Sequence, residues 1–168
     1  AGVFLVALGI GGAASSVYAI GYSARADRSV DRTAAAYPVF LACIGLVLGA
    51  DDAFAFLLSW EGMALSSALL VVGGDPSAKV ASAGYLYLAV THLATAAIVV
   101  AFAILASTAG STAFATFGPA AASLAPAARD LVFLLLLVGF ATKAGAIPFH
   151  VWLPQAHPVA PSHVSALM

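Results

Sequence analysis

Charge is what this sequence has least of. Only 8% of its 168 residues are Asp, Glu, Lys or Arg, where a soluble domain carries about a quarter. So few charges cannot cover a water-facing surface. That excludes a free-standing soluble globule and leaves lipid or neighbouring membrane helices as the main solvent. Cysteine is scarcer still. Cys43 stands alone inside an apolar run, so there is no disulfide framework and no cysteine cluster for iron–sulfur binding; it is expected as a small lipid- or helix-facing residue. A strong excess of basic charge is missing too, with a net charge of -1, so no nucleic-acid partner is expected. No Gly-rich nucleotide loop is present, and no cofactor is expected in this chain.

What the sequence has in abundance is apolar residues, 63% of the chain, with mean hydropathy +1.07. They fall in five continuous runs, at about residues 1–22, 37–50, 53–72, 80–106 and 130–148, and a further run begins at 163–168. The runs show no ten-residue alternation, so helices and not barrel strands are expected. The fold expected is all-α, a polytopic transmembrane helix bundle of about five spans forming one membrane domain over residues 1–168. The second run is short for a crossing, and its helix is expected to begin within the preceding Ala run. Gly73, Gly74, Asp75 and Pro76 read as a turn, and 107–128 as a surface loop or short interfacial helix. Ala1 in place of Met, and an apolar run at the end, suggest a piece of a longer chain. Arg25, Arg28, Arg32 and Lys79 outnumber Arg129, which places the loops that carry them in the cytoplasm. Asp51, Asp52, Arg129 and Asp130 read as interface residues.

The informative residues are those a bilayer rejects. A buried charge there costs about 2.5 kcal/mol or more. Glu61, in FLLSWEGMALSS, lies eight residues beyond Ala53, about 12 Å into its helix. It reads either as a carboxylate fixing helix depth or making a buried polar contact, or as a proton-exchanging group. Ser59 and Ser67 lie nearby, and Gly62 and Ser66 form a small-xxx-small pair that lets a neighbouring helix approach closely. Lys143 lies thirteen residues past Asp130, about 20 Å along, among Gly139, Gly145 and Pro148. Pro148 lacks an N–H and clashes with the Ala144 carbonyl, so the last helix is expected to break there, and Gly145 and Pro154 are marked with it as helix-break residues. A lysine beside a broken helix suits an ion site, and one whose partner moves can take up and release a proton. The alternative is a lysine snorkelling to the interface.

His92, in YLAVTHLATAA, is also at mid-membrane. It fits a hydrogen bond to a neighbouring helix as well as a proton relay. His150, His157 and His163 are spaced by seven and six, which matches no metal motif, since ligands on one helix face come at three or four. With Trp152, Pro154, Pro158 and Pro161 they suggest non-helical backbone that must be buried in protein or face water, where histidines could extend a proton path.

The stretch GFATKAGAIPFHVWLPQAHPVAPSHVSALM resembles the antiporter-like membrane subunits shared by respiratory complex I, multisubunit cation/proton antiporters and membrane-bound hydrogenases. Gly139, Phe140, Lys143, Gly145, Pro148, His150, Val151, Trp152, Leu153 and Pro154 carry that match. The run from Ala156 through His157, Pro158, Pro161 and His163 to Leu167 looks most like the large hydrogenase-4 or formate hydrogenlyase membrane subunit. FLLSWEGMALSS is similar to the family's Trp-Glu signature. The resemblance implies part of a larger inverted-repeat transporter fold, with Glu61 as the family's intramembrane glutamate and Lys143 as its paired lysine. It implies a non-catalytic, proton-translocating subunit of an oxidoreductase complex, in a bacterial or archaeal inner membrane. Its partners would be other membrane subunits, peripheral redox subunits, lipid and protons. A cation/proton antiporter subunit without a redox partner, or a non-pumping membrane anchor, would share the fold.

Overall fold

A computed structural model describes residues 2–25, 31–73 and 77–168, with side chains described for 2–21, 35–73 and 77–168. Each apolar run forms a helix: α1 (Gly2–Arg25), α2 (Asp31–Gly49), α3 (Ala53–Val72), α4 (Ala78–Ala109) and α6 (Pro126–Lys143), with a short α5 (Phe114–Ser123) between the last two. A single 3₁₀ turn (His150–Trp152) leads into α7 (Leu153–Ala156), and α8 (Ser162–Ser165) follows. As its shortness required, α2 starts within the polar and Ala-rich stretch ahead of its apolar run. The interval 107–128 is largely the helix α5. The loop 26–30 and the turn 74–76 lie outside the described residues.

Three helices are long and apolar enough to cross a membrane by themselves: Gly2–Gly21 of α1, Ala53–Val72 and Ala78–Ala109. The 20 residues of α3 span about 30 Å, the thickness of a hydrocarbon core. The outward faces are as apolar as the inward ones. Phe54, Leu58, Leu65 and Leu69 form an exposed stripe along α3, and Val3, Val6, Ile10, Val17 and Ile20 one along α1. Water would penalise such stripes and lipid does not. The chain is a membrane helix bundle.

Successive helices pack antiparallel. Gly12 and Gly45 let α1 and α2 meet at Leu41 and Leu8. Gly62 of α3 faces Cys43 of α2, and a Cβ at Gly62 would lie 2.8 Å from the Cys43 Sγ. The close approach expected from Gly62 and Ser66 is therefore made to α2. Ser67 on Tyr87 and Glu61 on His92 fix the register of α3 against α4. Gly139 of α6 sits on Ala94 and Ile98 of α4. Aromatic contacts from Phe102 of α4 to Phe114 and Phe117 seat α5.

Asp52 is more than an interface marker. Its Oδ1 accepts from the Phe54 and Ala55 N–H groups at 2.8 and 2.9 Å, capping α3. Its backbone is tied to the segment before α5, with Ala53 N–H donating to Thr112 O at 2.9 Å and Phe114 N–H to Asp51 O at 3.0 Å. Asp52→Ala is expected to cost about 1 kcal/mol, the usual value of a lost N-cap, read as a lower thermal midpoint of the detergent-solubilised protein.

The last long helix ends earlier than expected, at Gly145 and not at Pro148. It stops at Lys143, and Gly145 adopts φ +68°, the left-handed conformation that glycine takes without a Cβ clash. Gly145 N–H donates to Thr142 O at 3.2 Å and Ala146 N–H to Ala141 O at 2.9 Å, the paired bonds of a Schellman cap. Gly145 thus breaks the helix, and Pro148 lies beyond the break instead of causing it. Pro154 breaks nothing: it occupies the first turn of α7, where its missing N–H is not needed. The Pro-rich stretch is not uniformly non-helical, since it contains the 3₁₀ turn, α7 and α8. The run at 163–168 begins with the single turn α8.

Candidate functional site

Glu61 and His92 meet between α3 and α4. His92 Nε2 lies 3.3 Å from Glu61 Oε2, with side chains 48% and 31% exposed respectively. The other ring nitrogen, Nδ1, is 2.8 Å from the Leu88 carbonyl oxygen one turn earlier. A carbonyl can only accept, so Nδ1 carries a proton. In a neutral imidazole Nε2 then presents a lone pair to Glu61. A carboxylate facing that lone pair would repel it. The contact is attractive when one proton lies between the two groups, either on Nε2 or on the carboxyl. The Leu88 carbonyl therefore makes Glu61 and His92 a pair suited to hold a single exchangeable proton.

Lys143 occupies the last turn of α6, where the negative end of the helix dipole favours a cation. Its Nζ donates to the Tyr87 hydroxyl at 2.8 Å. The ammonium also lies 5.2 Å from the Tyr87 ring centroid and 6.0 Å from that of Trp60, within the range of cation–π attraction. The side chain thus turns inward between α3 and α4. Among the described residues the ion pair made by Glu61 is to His92, and the hydrogen bond made by Lys143 is to Tyr87. The structure does not bring Glu61 and Lys143 together as a pair. Trp60 next to Glu61 is the link, since it stacks on Phe56 and meets Phe140 edge-on.

Trp152 locks the segment after the break. Its Nε1–H donates to Thr142 O at 2.8 Å, and its ring lies 5.1 Å from that of Tyr87. A Cβ on Gly145 would lie 2.5 Å from Leu153 Cδ1, so the chain beyond the break folds tightly onto the helix end. The three following histidines are dispersed. His150 is exposed. His157 Nδ1 pairs with Ser165 Oγ at 2.8 Å, and the His163 ring meets Tyr37 of α2 edge-on at 5.3 Å. Among the described residues no group of three His, Cys, Asp or Glu side chains is placed to hold a metal ion.

Tyr87 escaped the sequence reading, and Ser67 entered it only as a neighbour of Glu61. Both are uncharged, so an argument built on the cost of charge in lipid passes over them. A usable signal was present: Tyr87 lies nine residues into α4, about 13 Å from its start, away from the interfaces where tyrosine is commonly an anchor.

The family described as NADH:quinone oxidoreductase/Mrp antiporter, TM, matches residues 50–168. An uncharacterised protein of Mycobacterium tuberculosis H37Rv is 42% identical over 167 residues, covering 99% of this chain and 25% of that protein. Hydrogenase-4 component B of Escherichia coli K12 is 42% identical over 130 residues, 77% of this chain and 19% of that protein. NADH-quinone oxidoreductase subunit N 1 of Sorangium cellulosum is 30% identical over 174 residues, 98% of this chain and 34% of that protein. The chain spans a quarter or less of the length of the first two of these relatives. With apolar antiparallel helices, titratable groups between them and a family match running from residue 50 to residue 168, the chain belongs to the NADH:quinone oxidoreductase/Mrp antiporter transmembrane family.

Proposed function

We propose that this chain is part of a proton-translocating, antiporter-like subunit that couples redox chemistry in partner subunits to proton movement across the membrane. The observation that carries this reading is the Glu61–His92 contact, whose geometry calls for one shared proton between two helices of a membrane bundle. Lys143 supplies a second titratable group on the adjacent α6. The shared proton gives the dyad no net charge beyond that of a neutral His and a neutral acid. Its bilayer cost is therefore low while it remains able to pass the proton on. His150, His157 and His163 are candidates for extending the path. The identity to hydrogenase-4 component B, 42% against 30% for the NADH-quinone oxidoreductase subunit, favours a hydrogenase-type complex in a bacterial inner membrane.

Glu61→Gln tests the reading directly. Glutamine keeps the size of the side chain, and its amide N–H can donate to His92 Nε2. The contact survives and the exchangeable proton does not. In sealed vesicles holding the full-length subunit in its complex, proton uptake is expected to fall about a hundredfold with assembly unchanged. Uptake at the wild-type rate would mean that Glu61 sets helix depth or packing and carries no proton.

A further inference from the structure

The hydroxyl of Tyr87 touches two groups and has one proton to give. Ser67 donates its own proton to the Ala64 carbonyl at 2.9 Å. The 2.8 Å contact between Ser67 Oγ and the Tyr87 hydroxyl is therefore filled by the tyrosine proton. The tyrosine oxygen in turn accepts from Lys143 Nζ at 2.8 Å. This order, lysine to tyrosine to serine to carbonyl, belongs to the ammonium form of the lysine. A neutral amine carries a lone pair. By turning its O–H about the C–O bond, the same phenol can donate to that lone pair instead. Ser67 then loses an incoming bond but keeps its own proton on Ala64. Tyr87 is 1% exposed and Ser67 0%, so neither has bulk solvent as an alternative partner, and a buried polar group left without one is costly.

We propose that Tyr87 is a positioning residue for Lys143, a two-way hydrogen-bond partner that accepts from the charged lysine and donates to the neutral one. The proposal rests on the reading of Lys143 as a proton-exchanging group. The proton that leaves the ammonium does not travel through Tyr87 and Ser67, because that chain ends on a carbonyl that cannot hold it. It leaves on the partly exposed side of the lysine, to the next proton acceptor of the path, and Tyr87 keeps its own proton throughout. Other titratable groups surround the pair without displacing it. Glu61 of α3 and His92 of α4 are engaged with each other at 3.3 Å, and Tyr85 of α4 and His150 of the 3₁₀ turn are exposed.

The test uses the full-length subunit in its complex, in sealed vesicles, with proton uptake recorded across a range of pH. Tyr87→Phe keeps the ring that packs on Trp152 and removes the hydroxyl. The ammonium then loses its acceptor and the neutral amine its donor; the bond to the charged form is the stronger of the two, so the midpoint of the uptake profile is expected to move to lower pH by about one unit. Ser67→Ala, which leaves the buried tyrosine proton without an acceptor in the charged form only, is expected to move it the same way by about as much. A role confined to packing would lower the amount of assembled complex and leave the midpoint in place, and that result overturns the proposal. If Tyr87→Phe does not assemble, Ser67→Ala decides alone, an unmoved midpoint again overturning it. Lys143→Met separates the two levels. Wild-type uptake in that variant removes the reading of Lys143 itself. Lost uptake with an unmoved Tyr87→Phe midpoint removes only the role of Tyr87.

Discussion

A subunit carrying Lys143→Met is expected to assemble at wild-type levels and to lose coupled proton uptake by about a hundredfold or more, the scale on which a positioned proton-transfer group acts. Methionine has nearly the length and volume of the lysine stem, so packing against Trp60 and Tyr87 is kept. The Tyr87 hydroxyl loses an incoming donor but still donates to Ser67 at 2.8 Å, so no buried proton is stranded. What disappears is the cation at the carbonyl end of α6 and its capacity to change charge. Redox turnover and proton uptake, recorded together in sealed vesicles, separate the outcomes. If both remain at wild-type level with normal assembly, Lys143 is structural and the transport assignment for this part of the chain fails. A membrane anchor that moves no protons predicts that result. A fall in uptake with turnover retained marks uncoupling at this lysine.

Much of the fold was legible because a bilayer leaves little freedom. Continuous apolar runs of about 20 residues can only be spanning helices, and α3 appears with the bounds its run suggested, Ala53–Val72. The helix break was legible as an event, but not which of the marked residues makes it. Pro148 offers a clash, yet Gly145 two residues after Lys143 can turn left-handed before the proline is reached, and the chain takes the first exit available. The partners inside the site were the least legible. The resemblance assigned roles to Glu61 and Lys143 but could not say which way each side chain turns. Register carried part of the answer. Glu61 lies eleven residues before the end of α3 and His92 fourteen after the start of α4, about 17 and 21 Å from their shared turn, so an antiparallel hairpin already sets them at similar depth. No such count reveals Tyr87, whose part depends on a hydroxyl proton and on the burial of Ser67.

Gly139→Val is expected to be the most damaging substitution in the bundle, and its effect should reach Lys143 through geometry alone. At Gly139 a Cβ would lie 2.9 Å from the Ala94 backbone oxygen and 3.0 Å from Ile98 Cδ1. A flexible side chain could yield, but the Ala94 carbonyl is part of the α4 hydrogen-bond ladder and cannot move without it. Two further methyl groups must then force α4 and α6 apart, and overpacking of this kind costs about 1–3 kcal/mol. Lys143 is one turn beyond Gly139, on the face that meets Tyr87, about two turns before Ala94 on the antiparallel α4. Separating the helices at Gly139 therefore stretches the 2.8 Å bond between Lys143 and Tyr87. The measurable result is a reduced yield of assembled complex, with the residual complex impaired in uptake as though Lys143 itself had been altered. Gly139→Ala grades the effect, since it adds the Cβ alone. A valine variant that assembles and pumps normally would mean that α4 and α6 do not approach this closely in the membrane, and the contact between Lys143 and Tyr87 would fall with that approach.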